Sequence, residues 1–305
     1  MTDRFAEAFS EHERYLWGVS YRMLGSGTGA DDVVQDTFLR LLERPPADLS
    51  RSLRPWLVRV AMNLARDRLR RRRRQPYVGT WLPEPVPTDR CDLQIPASAR
   101  YEALESATVA FLVALEALTP QQRAVLLMRD VLDYTVREAS GALSMTDANV
   151  KVVCLRARRA MAAYDADRCI PRRASPLAMS LLPRLMQCLT SENIDGLADL
   201  LANDVRSLTD SGGRYAAARK TIVGMDRVAR FMVGVLKKLN LHVETLSVSV
   251  QSLNGLPTLV AIHPARSPRW ASRTVMTFVP SEDGRLRTQF STSADDKLAF
   301  LGISV

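Results

Sequence analysis

Apolar residues recur at helical spacing through the first quarter of the chain. Phe5, Phe9, His12, Leu16, Val19 and Met23 fall alternately four and three apart, which predicts a helix with one apolar face and makes His12 a packed residue rather than a ligand. The run Gly25-Ser-Gly-Thr-Gly29 is expected to break it, and a second helix is predicted over Ala30–Glu43. Val33, Val34, Thr37, Leu41 and Leu42 would face inward there, leaving Asp32, Gln35 and Asp36 outside. After Pro45-Pro46, Pro55 suits the first position of a third helix, RPWLVRVAMNLARDRLRRRRR. It is expected to bury Trp56, Val60, Leu64 and Leu69 and to present Asn63 and the arginines, so the segment reads as an all-helical bundle.

The pattern then changes. Five prolines between Gln75 and Arg100 remove backbone donors, which predicts an extended linker. Tyr77, Trp81 and Leu82 make it apolar for a tether, and two readings stay open: a linker lying against a neighbouring domain, or a docking strip with its own groove. A second helical module follows, with Tyr101–Leu118 predicted as one helix and Thr119-Pro120-Gln121-Gln122 as a capping box that starts another. Thr135–Ala142, a tight Leu143-Ser144-Met145 turn and a helix capped by Thr146 have the arithmetic of a helix-turn-helix. Beyond Pro171, helices are predicted over Pro176–Thr190, Ile194–Ala202 and Gly224–Asn240. Strand signals take over in LHVETLSVSV, PTLVAIH, RWASRTVMTFV and RLRTQFSTS, with turns at Asn254-Gly255 and Glu282-Asp283-Gly284. Helices followed by a curled antiparallel sheet make an α+β domain.

Composition adds few exclusions, whereas the placement of charge adds a partner. No apolar run approaches the ~20 residues of a membrane span, and the start lacks the pattern of a secretory signal, so a cytoplasmic protein is expected. Cys91, Cys154, Cys169 and Cys188 are scattered, and neither a disulfide nor a metal site nor a cofactor is expected. The chain is basic, at +9 overall, yet residues 1–48 carry five arginines against nine acids. Arg66–Arg74 holds seven arginines against Asp67 alone, and Ala148–Tyr164 carries Lys151, Arg156, Arg158 and Arg159 with no acid. Two basic runs on short helices point to a polyanion. In a helix-turn-helix the second helix enters the major groove. Asp147, Asn149, Lys151 and Val152 stand early enough in it to meet base edges, while Arg156, Arg158 and Arg159 suit phosphates.

The order of these parts resembles a known family. ADDVVQDTFLRLLE, WLVRVAMNLARDRLRR, a linker and then LTPQQRAVLLMRDVLDYTVREASGALSMTDANVKVVCLRARRAM are similar to the two core domains of bacterial extracytoplasmic-function sigma factors. The resemblance implies that Asp32, Gln35 and Asp36 dock on the clamp helices of RNA polymerase core. It also implies that Arg59, Asn63, Arg66 and Arg70, with the loop Pro45–Arg54, meet the minus-ten promoter element as single strand, and that the helix-turn-helix meets the minus-thirty-five element. YVGTWLPEP at Tyr77–Pro85 resembles the linker of the subgroup that carries a fused SnoaL-like domain, an NTF2- and ketosteroid-isomerase-like cone. Asp210-Ser-Gly-Gly-Arg214 and Asn254-Gly-Leu-Pro257 match that domain in order. Tyr77, Trp81, Leu82, Pro83, Glu84, Asp210, Gly212, Gly213, Asn254, Gly255 and Pro257 are thereby implied as interdomain or regulatory residues, with the C-terminal domain regulating the core in cis. The domains expected are region 2 at 1–75, a linker at 76–100, region 4 at 101–165, a short linker at 166–175 and the SnoaL-like domain at 176–305. One departure stands out: relatives commonly place polar residues where this recognition helix has Val152, Val153 and Cys154, which leaves fewer side chains able to bond base edges.

Two other classes remain in view. A regulator that binds duplex DNA without polymerase would leave Asp32, Gln35 and Asp36 unused. An enzyme using the cone would draw on Asp199, Asp204, Asp210 or Asp226 with His242 or His263, but none forms a dyad by spacing, so no catalytic residue is assigned. A small ligand in the cone is a separate alternative.

Overall fold

The computed structural model describes residues 2–91, 93–242, 247–262 and 268–302. His263 and the first part of the alternating stretch after His242 lie outside the described residues, as do the side chains of Phe5 and His242. The chain forms two compact units: Met1–Pro76 with Asp89–Ala107 and Phe111–Arg168, and Tyr77–Thr88 with Thr108–Ala110 and Cys169–Val305.

The first unit is all-helical. Helices α1 (Thr2–Leu24), α2 (Gly27–Glu43) and α3 (Arg54–Arg72) pack on one another. Leu16, Val19 and Met23 are buried as their spacing predicts, joined by Trp17 and Tyr21, which stack at 5.2 Å between ring centroids. Phe9 lies half outside, against Phe38. The second helix starts earlier than Ala30, because Ser26 caps it by accepting from the Gly29 N–H. Leu42 proves exposed rather than buried: it lies at the C-terminal end of α2, past the buried stripe of Val33, Val34, Thr37, Phe38 and Leu41. On α3, Trp56 and Val60 are only half-buried; Leu57, Val58, Ala61, Met62, Ala65 and Leu69 fill the core with Leu64. The apolar face is turned because α3 also packs on two helices of the second module.

That module comprises α4 (Val109–Ala114), α5 (Pro120–Leu126), α6 (Val136–Leu143), α7 (Asp147–Ala160) and the short α8 (Ala162–Asp165). The single helix expected over Tyr101–Leu118 is broken, with tight turns at Glu105–Ala107 and Leu115–Ala117 around α4. Buried charge explains part of the break: Glu105 is fully buried and accepts from Tyr164 and Arg168. The capping box predicted at Thr119 and Gln122 is present, and Thr135 with Glu138 forms another that starts α6. Ser144 turns the chain at φ 54°, and Thr146 caps α7.

The second unit is α+β, as predicted, with sheet order β2-β1-β6-β5-β4-β3. Helix α9 (Pro171–Thr190) begins at a proline in its first turn, ahead of the predicted Pro176, and α10 (Ile194–Asp199) follows. The helix predicted through Ala202 ends early. Leu201–Asp210 is instead strand β1, pairing in parallel with β6, a long-range partner that no local pattern announces. The short β2 (Ile222–Val223), α11 (Met225–His242), β3 (Ser247–Leu253), β4 (Leu256–Ile262), β5 (Arg273–Pro280) and β6 (Leu286–Thr292) follow, with α12 (Asp295–Leu298) last. Asn254 and Gly255 form the two-residue hairpin turn at φ 51° and 80°, joining Leu253 to Leu256. One face of the sheet packs Leu259, Phe278 and Leu286 against Leu182 and Leu185 of α9 and Val228 and Met232 of α11. The opposite face gathers Leu253, Val260, Val275 and Leu298 in a smaller core.

Candidate functional site

Within the first unit the helix-turn-helix presents a mixed surface. Asp147, Asn149, Lys151, Val152, Arg156 and Arg159 are exposed on α7. Arg158 grips the buried Asp130 through two nitrogens at 2.6 and 2.9 Å, a pairing whose hydrogen bonds hold its guanidinium pKa above the usual arginine range. Cys154 is buried, so of the apolar run only Val152 and, in part, Val153 reach the surface, with Leu155 exposed beside them. On α3, Arg59 is exposed, Arg66 half-buried, and Arg70 pairs with Asp67 at 2.8 Å. Asn63 donates its amide to the Ala142 carbonyl on α6 at 3.3 Å and to Arg59 at 2.9 Å. The outward acids of α2 are also engaged: Arg68 reaches Asp32 at 2.6 Å and Asp36 at 2.8 Å, while Gln35 is exposed.

A second ionic cluster joins the two helical modules. Glu116 accepts from Arg72 at 2.7 and 2.9 Å and from the fully buried Arg123 at 2.6 Å, with Arg73 at 3.5 Å. Arg123 and Arg72 also cap the end of α1 by donating to the carbonyls of Met23 and Leu24, where the helix dipole favours positive charge. Burial alone would raise the Glu116 pKa, but Arg123 and Arg72 outweigh it and hold the carboxyl below its ordinary range. Burial pushes Arg123 down to about 10, against the pull of Glu116.

In the second unit, linker residues 77–88 are built into the C-terminal domain. Asp210 is almost completely buried at the end of β1. It accepts from the Tyr77 hydroxyl at 2.6 Å, the Leu82 N–H at 2.8 Å and the Gly212 N–H at 2.9 Å, and it pairs with Lys297 of α12. Lys297, also buried, donates to the Leu82 carbonyl and lies 4.8 and 4.6 Å from the ring centres of Tyr77 and Trp81. The aromatic faces and the carboxylate together replace the ammonium's water shell. Farther along, Asn254 exchanges two bonds with the Val86 backbone, at 3.0 and 3.1 Å, and Pro87 bridges to Leu253. Thr88 accepts from Gly255 and Ser252, extending the linker's contact with the β3–β4 hairpin. Leu82, Pro83, Glu84, Pro85 and Val86 are all buried.

Residues 8–75 match Sigma-70 region 2, and residues 108–161 match Sigma-70, region 4. Over 232 residues, 75% of this chain and 72% of the relative, the sequence is 33% identical to ECF RNA polymerase sigma factor SigJ of Mycobacterium tuberculosis. The chain belongs to the extracytoplasmic-function RNA polymerase sigma factors. This sigma factor is also 32% identical to the SigG of the same organism over 242 residues, 72% of this chain and 65% of SigG. Its fold matches the crystal structure of M. tuberculosis SigJ with a TM-score of 0.72 and 25% identity, covering 95% of this chain and 98% of that one. Its function, like that of its family, is RNA polymerase-directed transcription initiation.

For the sigma factor, of the linker residues named from sequence Tyr77 and Leu82 bond Asp210 and Trp81 lies against Lys297, whereas Asn254 bonds Val86, which was not named, and Pro257 sits in β4 opposite Ser252. Lys297 was not singled out from sequence, because a lone lysine in ADDKL reads as surface until its partner 87 residues earlier is known. Glu116, Arg68 and Arg123 were missed for the same reason. Asp199, Asp204 and Asp226 are exposed, Asp204 near Arg287 and Asp226 near Arg230, and the structure does not bring them together. No described helix is long and apolar enough to cross a membrane. Gly213, at φ +74°, would place an added Cβ 2.8 Å from the Val78 Cβ, so Gly213→Ala strains the backbone and displaces the linker together. We expect it to cost about 1–3 kcal/mol in thermal unfolding. Gly79→Ala, at φ +89° with open space around it, should cost less; equal losses would show that contact with Val78 contributes nothing.

Proposed function

We propose that this sigma factor holds its two promoter readers together until its C-terminal domain releases the linker between them. The observation that carries the reading is the burial of residues 82–86 in the C-terminal domain, together with the Asp210–Lys297 pair that clasps Leu82. In this reading α7 meets the minus-thirty-five element through Asp147, Asn149, Lys151 and Val152, with Arg156, Arg158 and Arg159 on the backbone. Arg59, Asn63, Arg66 and Arg70 of α3 meet the minus-ten strand, and Asp32, Gln35 and Asp36 of α2 meet the clamp helices of core polymerase. The two elements lie about 25 base pairs apart, which at ~3.4 Å per pair is about 85 Å. Asn63 bonded to Ala142 holds α3 against α6, so both readers can engage one promoter only after they separate. The linker is the chain that joins them, and a domain that binds it governs that separation.

Run-off transcription with core polymerase tests this on three chains: full length, one ending near Tyr164, and one lacking only Phe300–Val305. Truncation is expected to change initiation, and identical transcription from all three would remove regulation in cis. Asp32→Arg with Asp36→Arg should weaken core binding at least tenfold, because it reverses the charge offered to a basic surface. Unchanged affinity would contradict that docking face. A footprint on duplex DNA that core enzyme does not alter would favour a polymerase-independent regulator instead.

A further inference from the structure

The two faces of the C-terminal sheet have different contents. Thr209 and Asp210 are consecutive on β1, yet Asp210 turns to the linker while Thr209 lines a cavity of about 450 Å³ on the opposite face. That volume is in the range of small-molecule sites. The walls are apolar, drawn from Met186 and Leu189 of α9, Phe231 and Val235 of α11, Met276 of β5, and Trp270. Polar groups gather on β1 and at β6, where Thr209, Gln289, Ser291 and Ser293 face inward. Ser291 and Ser293 are 8% and 7% exposed, and among the described residues their hydroxyls and that of Thr209 bond no other protein group. Gln289 accepts from Ser207 at 3.0 Å, which leaves its amide N–H groups available.

The lining also says what does not fit. No described lining residue is a carboxylate or a histidine, and the hydroxyl of Tyr215, which is in the lining, is taken up by Asp295. Lys238, the one charged residue in the described lining, is exposed on α11. A carboxylate or ammonium carried to the serine end would therefore be buried without a counter-charge, which is costly. An apolar body with a neutral oxygen meets both surfaces: hydrocarbon against the methionines and aromatics, oxygen against hydroxyls that otherwise lack protein partners.

We propose that this cavity binds an uncharged, largely hydrocarbon molecule whose single hydroxyl or carbonyl group bonds Ser291, Ser293 and Thr209. The test uses the full chain and Nile red, a neutral fluorescent probe, with dodecan-1-ol and sodium dodecanoate as competitors of equal chain length. Nile red should bind saturably at one site, dodecan-1-ol should displace it, and dodecanoate should be at least tenfold weaker. Ser291→Val with Ser293→Val should weaken dodecan-1-ol about tenfold, as expected for two lost hydrogen bonds, while the apolar walls keep Nile red bound. Val235→Trp, on a half-buried position of α11, should block Nile red; circular dichroism checks its fold, and if it fails to fold the serine variants alone decide the location. Unsaturable Nile red uptake, dodecanoate binding as tightly as the alcohol, or a serine double variant with unchanged alcohol affinity would each overturn the proposal.

Discussion

Asp210→Ala is expected to lower the stability of the C-terminal domain by about 3–5 kcal/mol, the cost of leaving one member of a buried ion pair alone. The loss is large because the carboxylate serves four donors at once: Tyr77, Leu82, Gly212 and Lys297. Its removal strands a buried ammonium between two aromatic rings and frees the first third of the linker. Thermal unfolding should show a transition about 10 °C lower. Chymotrypsin should also cut at Tyr77 or Trp81 far faster than in the wild type. Adding Lys297→Met should recover part of the stability, because the stranded charge is gone, without restoring protection of the linker. An unchanged melting temperature together with unchanged cleavage would mean that the pair does not hold the linker.

Glu116→Gln should cost the helical unit about 3 kcal/mol, because Arg123 has no exposure to water and loses its counter-charge. The effect has a pH signature. The folded-state pKa of Glu116 is depressed below 4.5, so the cluster contributes its full stability above that pH and loses it as the pH falls through the folded value. As the pH falls below about 4.5 the wild type should therefore lose stability more steeply than the variant, and the two curves should converge in acid. Parallel curves across that window would show that Glu116 is not the group linking the modules. If the cluster also keeps α3 on α6, small-angle scattering of the variant should report a larger radius of gyration at neutral pH.

How much of this was legible in the sequence depends on the range of the interaction involved. The caps at Thr119 and Thr146, the Asn254-Gly255 turn and the apolar stripe of α1 are set within four residues, and they appear where the residues predict. The motif residues of the linker were visible as a pattern, and Asp210 and Asn254 were named with them, but no local rule says that one carboxylate would receive both Tyr77 and the Leu82 N–H. The failures are long-range as well. Leu201–Asp210 became a strand because β6, some 80 residues later, offers it a parallel partner. The buried face of α3 turned away from Trp56 and Val60 because α5 and α6 pack on the same helix. Tyr101–Leu118 broke because Glu105 and Glu116 turn inward to arginines that lie elsewhere in the chain.

The sequence by itself determined the apolar stripe of α1, the caps at Thr119 and Thr146, the helix-turn-helix and the order of the three parts, since periodicity and capping act between near neighbours. Only the tertiary structure decided which charges are buried, since a charge can leave water only where the fold supplies its counterpart: Asp210 and Lys297 bury each other, the buried Arg123 has Glu116, and the buried Asp130 has Arg158.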